Sequence, residues 1–308
     1  MNPNDQYSPV FRGRYRFLFL GFSFPVLHYV IMLLVQAVAT VLKTVSLSGK
    51  AGLSQVALEK ELTVFLTEYS DVFSLISAGL TVLVAIAVYF MISSRFVKWQ
   101  IPAPSVKTYF SLNKISIGLV FKLILLAFFF YHFVLGFLNI VGLLAPSLME
   151  SYNDASQSVD TGKSAFSLVL SFFSLVVAAP ITEELIYRNM AIANMRSRLP
   201  AVLSVILSSL IFGLFHGNVV WMLYAGGIGV LFGFLYVKSE SIYVSLTVHI
   251  GFNFIGYVYS VIGNFVNGSA ATVINTVSAC LISLSLIGAP LVFLWVWFGL
   301  SKKEKPIE

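Results

Sequence analysis

The chain has 308 residues, of which 58% are hydrophobic and 10% charged, whereas an ordinary soluble domain carries roughly 25% charged residues. With a mean hydropathy of +0.91 and apolar runs that repeatedly reach the roughly 20 residues needed to cross a bilayer, it reads as an all-α polytopic membrane protein. A single cysteine, Cys280, excludes a disulfide scaffold and is expected to be inert packing; the net charge of +6 sits at the ends of apolar runs, which excludes a nucleic-acid groove.

Eight spans follow in chain order, at about 17–42, 72–93, 115–144, 165–187, 202–216, 219–237, 242–262 and 272–300, the fifth being the shortest. The first is too long for a cleavable signal and reads as an anchor. The stretch from 46 to 70 mixes Leu53, Val56, Leu62 and Phe65 with Glu59, Lys60 and Glu61, a weak pattern for a helix lying on the membrane surface. Arg12, Arg14, Arg16, Arg95, Lys98, Lys107, Lys114, Arg188, Arg196, Arg198, Lys238, Lys302, Lys303 and Lys305 all fall on one side of this plan. The other side receives Lys43, Lys50, Lys60 and Lys163 among seven acids, Glu59, Glu61, Glu68, Asp71, Glu150, Asp154 and Asp160. The positive-inside rule therefore predicts both termini on the cytoplasmic side, in a bacterial plasma membrane. No internal repeat stands out, so one membrane domain is expected: residues 1–164 with three helices, 165–263 with four, and 264–308 with the last helix and a basic tail.

Ionisable groups inside spans are expensive, about 2.5 to 3.5 kcal/mol each on insertion scales, so each needs an explanation. The fourth span carries Glu183 and Glu184 three residues after Pro180, with Arg188 following. Proline is expected to free the carbonyl of Val176 and kink the helix. Glu184 and Arg188, at i,i+4, are placed to pair; Glu183, about 100° round the helix, is turned toward another neighbour. A bland reading is that both acids mark a helix end with Arg188 snorkelling. Against it, the fifth span ends in Phe212-Gly-Leu-Phe-His216, and the seventh carries His249 and Asn253 on one face. A desolvated carboxylate beside an imidazole can activate water, while an amide and a second imidazole can hold a developing oxyanion, which is a hydrolase constellation.

Glu-Glu-x-x-x-Arg (Glu183, Glu184, Arg188), Phe-x-x-x-His (Phe212, His216) and His-x-x-x-Asn (His249, Asn253), in this order on successive spans, resemble the three motifs of the CPBP family of CAAX proteases and bacteriocin-processing enzymes, also called Abi proteins. The resemblance runs from about Ala165 to Tyr257, and departs from the family at Asn189, where glycine is common. It implies an eight-helix intramembrane endopeptidase in which Glu183 and His216 activate water, His249 and Asn253 stabilise the oxyanion, and Glu184 and Arg188 form an orienting ion pair. Two readings of cofactor use stay open: a metal-free site, or zinc on Glu183, His216 and His249 with an open position. Partners implied are a membrane-associated peptide or protein substrate and the lipid bilayer. The alternative is a non-catalytic regulator of sensor kinases or a bacteriocin-immunity protein on the same scaffold; a proton-coupled transporter is disfavoured by the lack of an inverted repeat.

Counting 1.5 Å per residue puts His249 about 16 Å from Lys238, Glu183 about 20 Å from Arg196 and His216 about 27 Å from Arg198 along their helices. Tilt, a broken fourth helix or a longer cytoplasmic loop before the fifth helix would reconcile these depths, and the last is expected, with the fifth helix beginning only after Pro200. His28 and His132 are expected to be structural hydrogen-bonding residues, Lys122 to snorkel, and Ala225, Gly229 and Gly233 to permit close packing of the sixth span.

Overall fold

The computed structural model describes residues 15–48, 54–98, 107, 110–157, 164–196 and 198–300, with the backbone alone for 15–17 and 92–98. Arg12, Arg14, Lys50, Asp160, Lys163, Lys302, Lys303 and Lys305, used above for orientation, lie outside the described residues, as do the side chains of Arg16, Arg95 and Lys98. Among the described residues the chain forms helices and no strand: α1 (Tyr15–Ser48), α2 (Gln55–Glu68), α3 (Ser70–Lys98), α4 (Ile117–Leu144), α5 (Pro146–Gln157), α6 (Ala165–Met195), α7 (Ala201–Leu214), α8 (Val219–Ser239), α9 (Ile242–Phe265) and α10 (Ser269–Gly299).

Seven of these, all but α2, α5 and α7, are long and apolar enough to cross a membrane. The protein is an integral membrane protein. The fifth expected span is α7, with 14 residues, about 21 Å at 1.5 Å rise and so shorter than the hydrocarbon core. It starts at Ala201 with Pro200 as its N-cap, as expected. Ser54, Ser116, Ser164 and Asn218 cap α2, α4, α6 and α8 by accepting backbone N–H bonds. The mixed segment before α3 does form a helix, α2, and none of its residues is buried. Helix α5 is not apparent from hydropathy; its signal is Pro146 at the first helical position.

Helices α7 and α8 form an antiparallel hairpin, α4 packs against both α9 and α10, and α1 lies on the second half of α6. The glycine stripe acts as expected: a Cβ on Gly229 would meet Ser209 and Phe212, and one on Gly233 would come within 2.7 Å of Val205. Gly213 is tighter, since a Cβ there would lie 2.6 Å from the backbone oxygen of Met222. Gly213→Val is therefore expected to destabilise the hairpin by about 1 to 3 kcal/mol through overpacking, read as a lowered melting temperature in detergent; an unchanged melt would contradict this packing.

Packing is uneven along the bundle axis. At the end carrying Lys122 and Lys238, the basic end, Leu123, Leu126, Phe232, Leu235, Val244, Val248 and Val296 are fully buried. Lys122 and Lys238 lie over the rings of Trp295 and Trp297 at 4.3 and 3.9 Å, an aromatic and lysine belt suited to a membrane interface. Cys280 corrects its expectation: it is exposed on the surface of α10 rather than packed inside. His132 donates from Nδ1 to the Phe128 carbonyl at 2.8 Å, and its Nε2 meets the Tyr259 hydroxyl at 2.9 Å.

Candidate active site

Helix α6 is not a simple proline-kinked α-helix. Two π-helical stretches, Phe172–Ala178 and Glu184–Ile192, flank a short α-helical piece, Ala179–Glu183, that contains Pro180. Wide turns of this kind recur at functional sites because they re-aim side chains. The register corrects the expected orphan carbonyl. Ala179 N–H bonds Ser174 O, a five-residue step, so the next donor in that register, the N–H that Pro180 lacks, belongs to Leu175 O rather than Val176 O. Asn253 fills the gap by donating from Nδ2 to Leu175 O at 2.9 Å.

The four polar groups of α6 and α9 form one connected chain. Glu184 is fully buried and Arg188 is 1% exposed; Arg188 Nε lies 3.3 Å from Glu184 Oε2. Glu184 Oε1 accepts from His249 Nδ1 at 2.9 Å, and His249 Nε2 lies 3.4 Å from Glu183 Oε2. The sequence reading gave the two acids separate neighbours. Their directions do diverge, but one imidazole inserted between them reaches both, each carboxylate taking one ring nitrogen. With Nδ1–H committed to Glu184, a neutral ring would aim a lone pair at the Glu183 carboxylate. The 3.4 Å contact is favourable only when the His249–Glu183 pair holds one further proton, on the imidazole or on the carboxyl. The guanidinium of Arg188 sits between rings, 4.8 Å from the Phe212 centroid and 5.4 Å from that of Phe232, geometry that favours arginine over lysine.

His216 lies just beyond the end of α7, where its Nδ1 donates to Phe212 O at 2.7 Å. A carbonyl only accepts, so Nδ1 carries the hydrogen and Nε2 of the neutral ring keeps its lone pair. Phe212 links the two histidines, with centroid distances of 4.7 Å to His216 and 6.3 Å to His249. Glu183, His216, His249 and Asn253 all line a single cavity of about 840 Å³. Glu184 and Arg188 lie behind it, and Glu183, whose side chain is 22% exposed, is its only charged lining residue among those described.

One group of residues was not apparent from the sequence. Tyr131, Tyr152, Tyr224 and Tyr257 also line the cavity; only Tyr257 carried a signal, since it continues the i,i+4 series His249, Asn253. His28, expected to be a structural hydrogen-bonding residue, donates from Nδ1 to Thr81 Oγ1 at 3.1 Å, since Thr81 gives its own proton to Ser77 O.

The proposed zinc set fits in part. His249 and His216 each direct Nδ1 to an acceptor and leave Nε2, the outer-shell pattern of metal-ligating histidines. Among the described residues, however, no group of three His, Cys, Asp or Glu is placed to hold a metal ion.

Residues 165–255 match the family model described as type II CAAX prenyl endopeptidase Rce1-like. This segment is thus similar to the CPBP family. The match begins at the start of α6 and ends just past Asn253, so it takes in all three motifs. No curated protein and no solved structure matches the chain. The similarity suggests membrane-embedded protease activity of the CAAX type.

Proposed function

We propose that the protein is an intramembrane endopeptidase that hydrolyses a peptide bond in a membrane-associated peptide or protein, using water activated by Glu183 and His216. The observation that carries this reading is the run of ion-pair contacts Arg188, Glu184, His249, Glu183, with one hydrogen bond at its centre, ending on a carboxylate that faces a cavity. Glu183 removes a proton from water as the oxygen attacks the scissile carbonyl carbon, with the His216 Nε2 lone pair positioning that water. The His249 proton held by Glu183 is released as the glutamate becomes neutral, and Nε2–H then donates to the oxyanion. Asn253 adds the second amide hydrogen, the first being committed to Leu175 O. The proton on Glu183 passes to the leaving nitrogen and the C–N bond breaks, giving a carboxylic acid and an amine; the acid's proton then passes to the amine, leaving a carboxylate and an ammonium group.

Glu184 and Arg188 position His249 without touching substrate. The reaction as written needs no resident metal; Asn253 is a poor zinc ligand and a good amide donor. Purified protein is expected to contain far less than one zinc per chain, and stoichiometric, tightly held zinc by elemental analysis would overturn the metal-free form. Both termini are placed in the cytoplasm on the distribution of Lys and Arg. Comparing peptide termini in membrane and secreted fractions of cells carrying wild-type protein or Glu183→Gln tests the activity. Termini that disappear in the variant support it, and identical profiles overturn it.

A further inference from the structure

The cavity is long and points one way. On α9 its lining runs from His249 through Asn253, the adjacent Gly256 and Tyr257, and Ser260 to Asn264, residues that recur every three or four positions and keep to one helix face. That stripe covers about 22 Å at 1.5 Å rise per residue. It makes α9 the least apolar of the seven long spans, so its polar side is explained by the cavity. Tyr152 and Ser156 of α5 line the far end. This short helix is held there by Asn218, whose Nδ2 donates to Ser151 O at 3.2 Å, and by edge-on contacts of Tyr152 with Trp221 and Tyr224. Toward the basic end, in contrast, Phe232, Leu235, Val244 and Val248 close the bundle completely below His249.

We infer that this cavity opens only on the face opposite the lysine and tryptophan belt, the extracytoplasmic face, and receives an extended, acid-free peptide segment of about six residues. The inference rests on the endopeptidase reading for its occupant and on packing for its direction. At about 3.3 Å per residue, an extended chain of six residues spans roughly 20 Å, matching the stripe from His249 to Asn264. At membrane depth every peptide N–H and C=O needs a partner, and the lining carries amide and hydroxyl groups, of which Asn253 and Tyr257 each already donate one hydrogen, to Leu175 O and Leu168 O. No lysine or arginine is among the described lining residues, and Glu183 is an acid. An aspartate or glutamate of the bound segment would face the Glu183 carboxylate with no lysine or arginine to offset it, which is unfavourable. The scissile bond lies at the closed end, beside Glu183, and the bound flank leads outward past α5.

Two measurements decide this separately. In a Cys280→Ser background, Ser156→Cys and Asn264→Cys are treated with a membrane-impermeant maleimide, with Lys107→Cys as the marker of the basic end. The cavity cysteines are expected to label as fully in intact cells as in permeabilised ones, and Lys107→Cys only after permeabilisation. Labelling in the reverse pattern overturns the direction. For the occupant, Glu183-dependent termini are expected in extracytoplasmic segments, flanked on one side by about six residues without Asp or Glu. Termini in cytoplasmic segments, or with acids throughout the flank, overturn the cavity assignment while leaving the protease reading intact. The absence of any Glu183-dependent terminus removes the protease reading and its peptide occupant together, while the labelling result still decides which face the cavity opens on.

Discussion

Glu183→Gln is expected to abolish peptide-bond cleavage while leaving the helix bundle assembled. The amide has nearly the shape of the carboxylate, and Glu183 stands at the cavity edge with its side chain 22% exposed, so the exchange leaves no cavity and no buried orphan charge. The buried partner of His249 is Glu184, at 2.9 Å, and that bond is untouched. What is lost is the base. Removal of a positioned general base lowers rates by about 10²- to 10⁴-fold, enough to erase product termini at matched expression. The control is the thermal melt of the purified variant in detergent, which should coincide with that of the wild type. Full cleavage by a folded Glu183→Gln protein would remove Glu183 from the mechanism.

Arg188→Met is expected to have the largest effect on stability of any single change in the site. The side chain is 1% exposed, stacked by Phe212 and Phe232, and its cation lies 3.3 Å from the fully buried Glu184 carboxylate. Removing one member of a buried pair strands the other; about 3 to 5 kcal/mol is typical. Lysine should not restore it, because a compact ammonium cannot fill the planar slot between two rings. Thermal unfolding and protease resistance in detergent would measure the loss. The double variant Arg188→Met, Glu184→Gln should recover part of it, since the stranded charge is then gone. A wild-type melt for Arg188→Met alone would contradict the burial argument.

The spans were legible in the sequence because a bilayer demands long apolar runs, and their order follows from where the charges interrupt them. Pro200 marked the late start of α7, and i,i+4 spacing put His249 beside Asn253 and Glu184 beside Arg188. The site was less legible where it depends on helix register. A run such as Phe172–Ala178 has no composition that distinguishes π from α turns, so Val176 rather than Leu175 appeared to be the carbonyl released by Pro180. The shared imidazole was hidden for a similar reason: 100° between Glu183 and Glu184 excludes a common direction but says nothing about a ring wide enough to bridge them. The tyrosines were invisible because a cavity is a property of six helices together. Tyr131, Tyr152 and Tyr224 come from three different elements, and no spacing within any one helix announces their convergence.

The shortness of α7 has a bearing on the surrounding lipid. Val202, Leu203, Ile206, Leu210 and Leu214 form an exposed apolar stripe on this 14-residue helix, so it meets acyl chains directly along about 21 Å where the undisturbed hydrocarbon is about 30 Å thick. Its neighbour α8 has 21 residues, enough for the full thickness. Lipids beside α7 must therefore compress or bend locally, at a fraction of a kcal/mol per Å of mismatch. Because that deformation is relieved in thinner bilayers, acyl-chain length becomes a control on the α7–α8 hairpin and on the placement of His216 at its tip, acting through membrane elasticity instead of through any bound ligand.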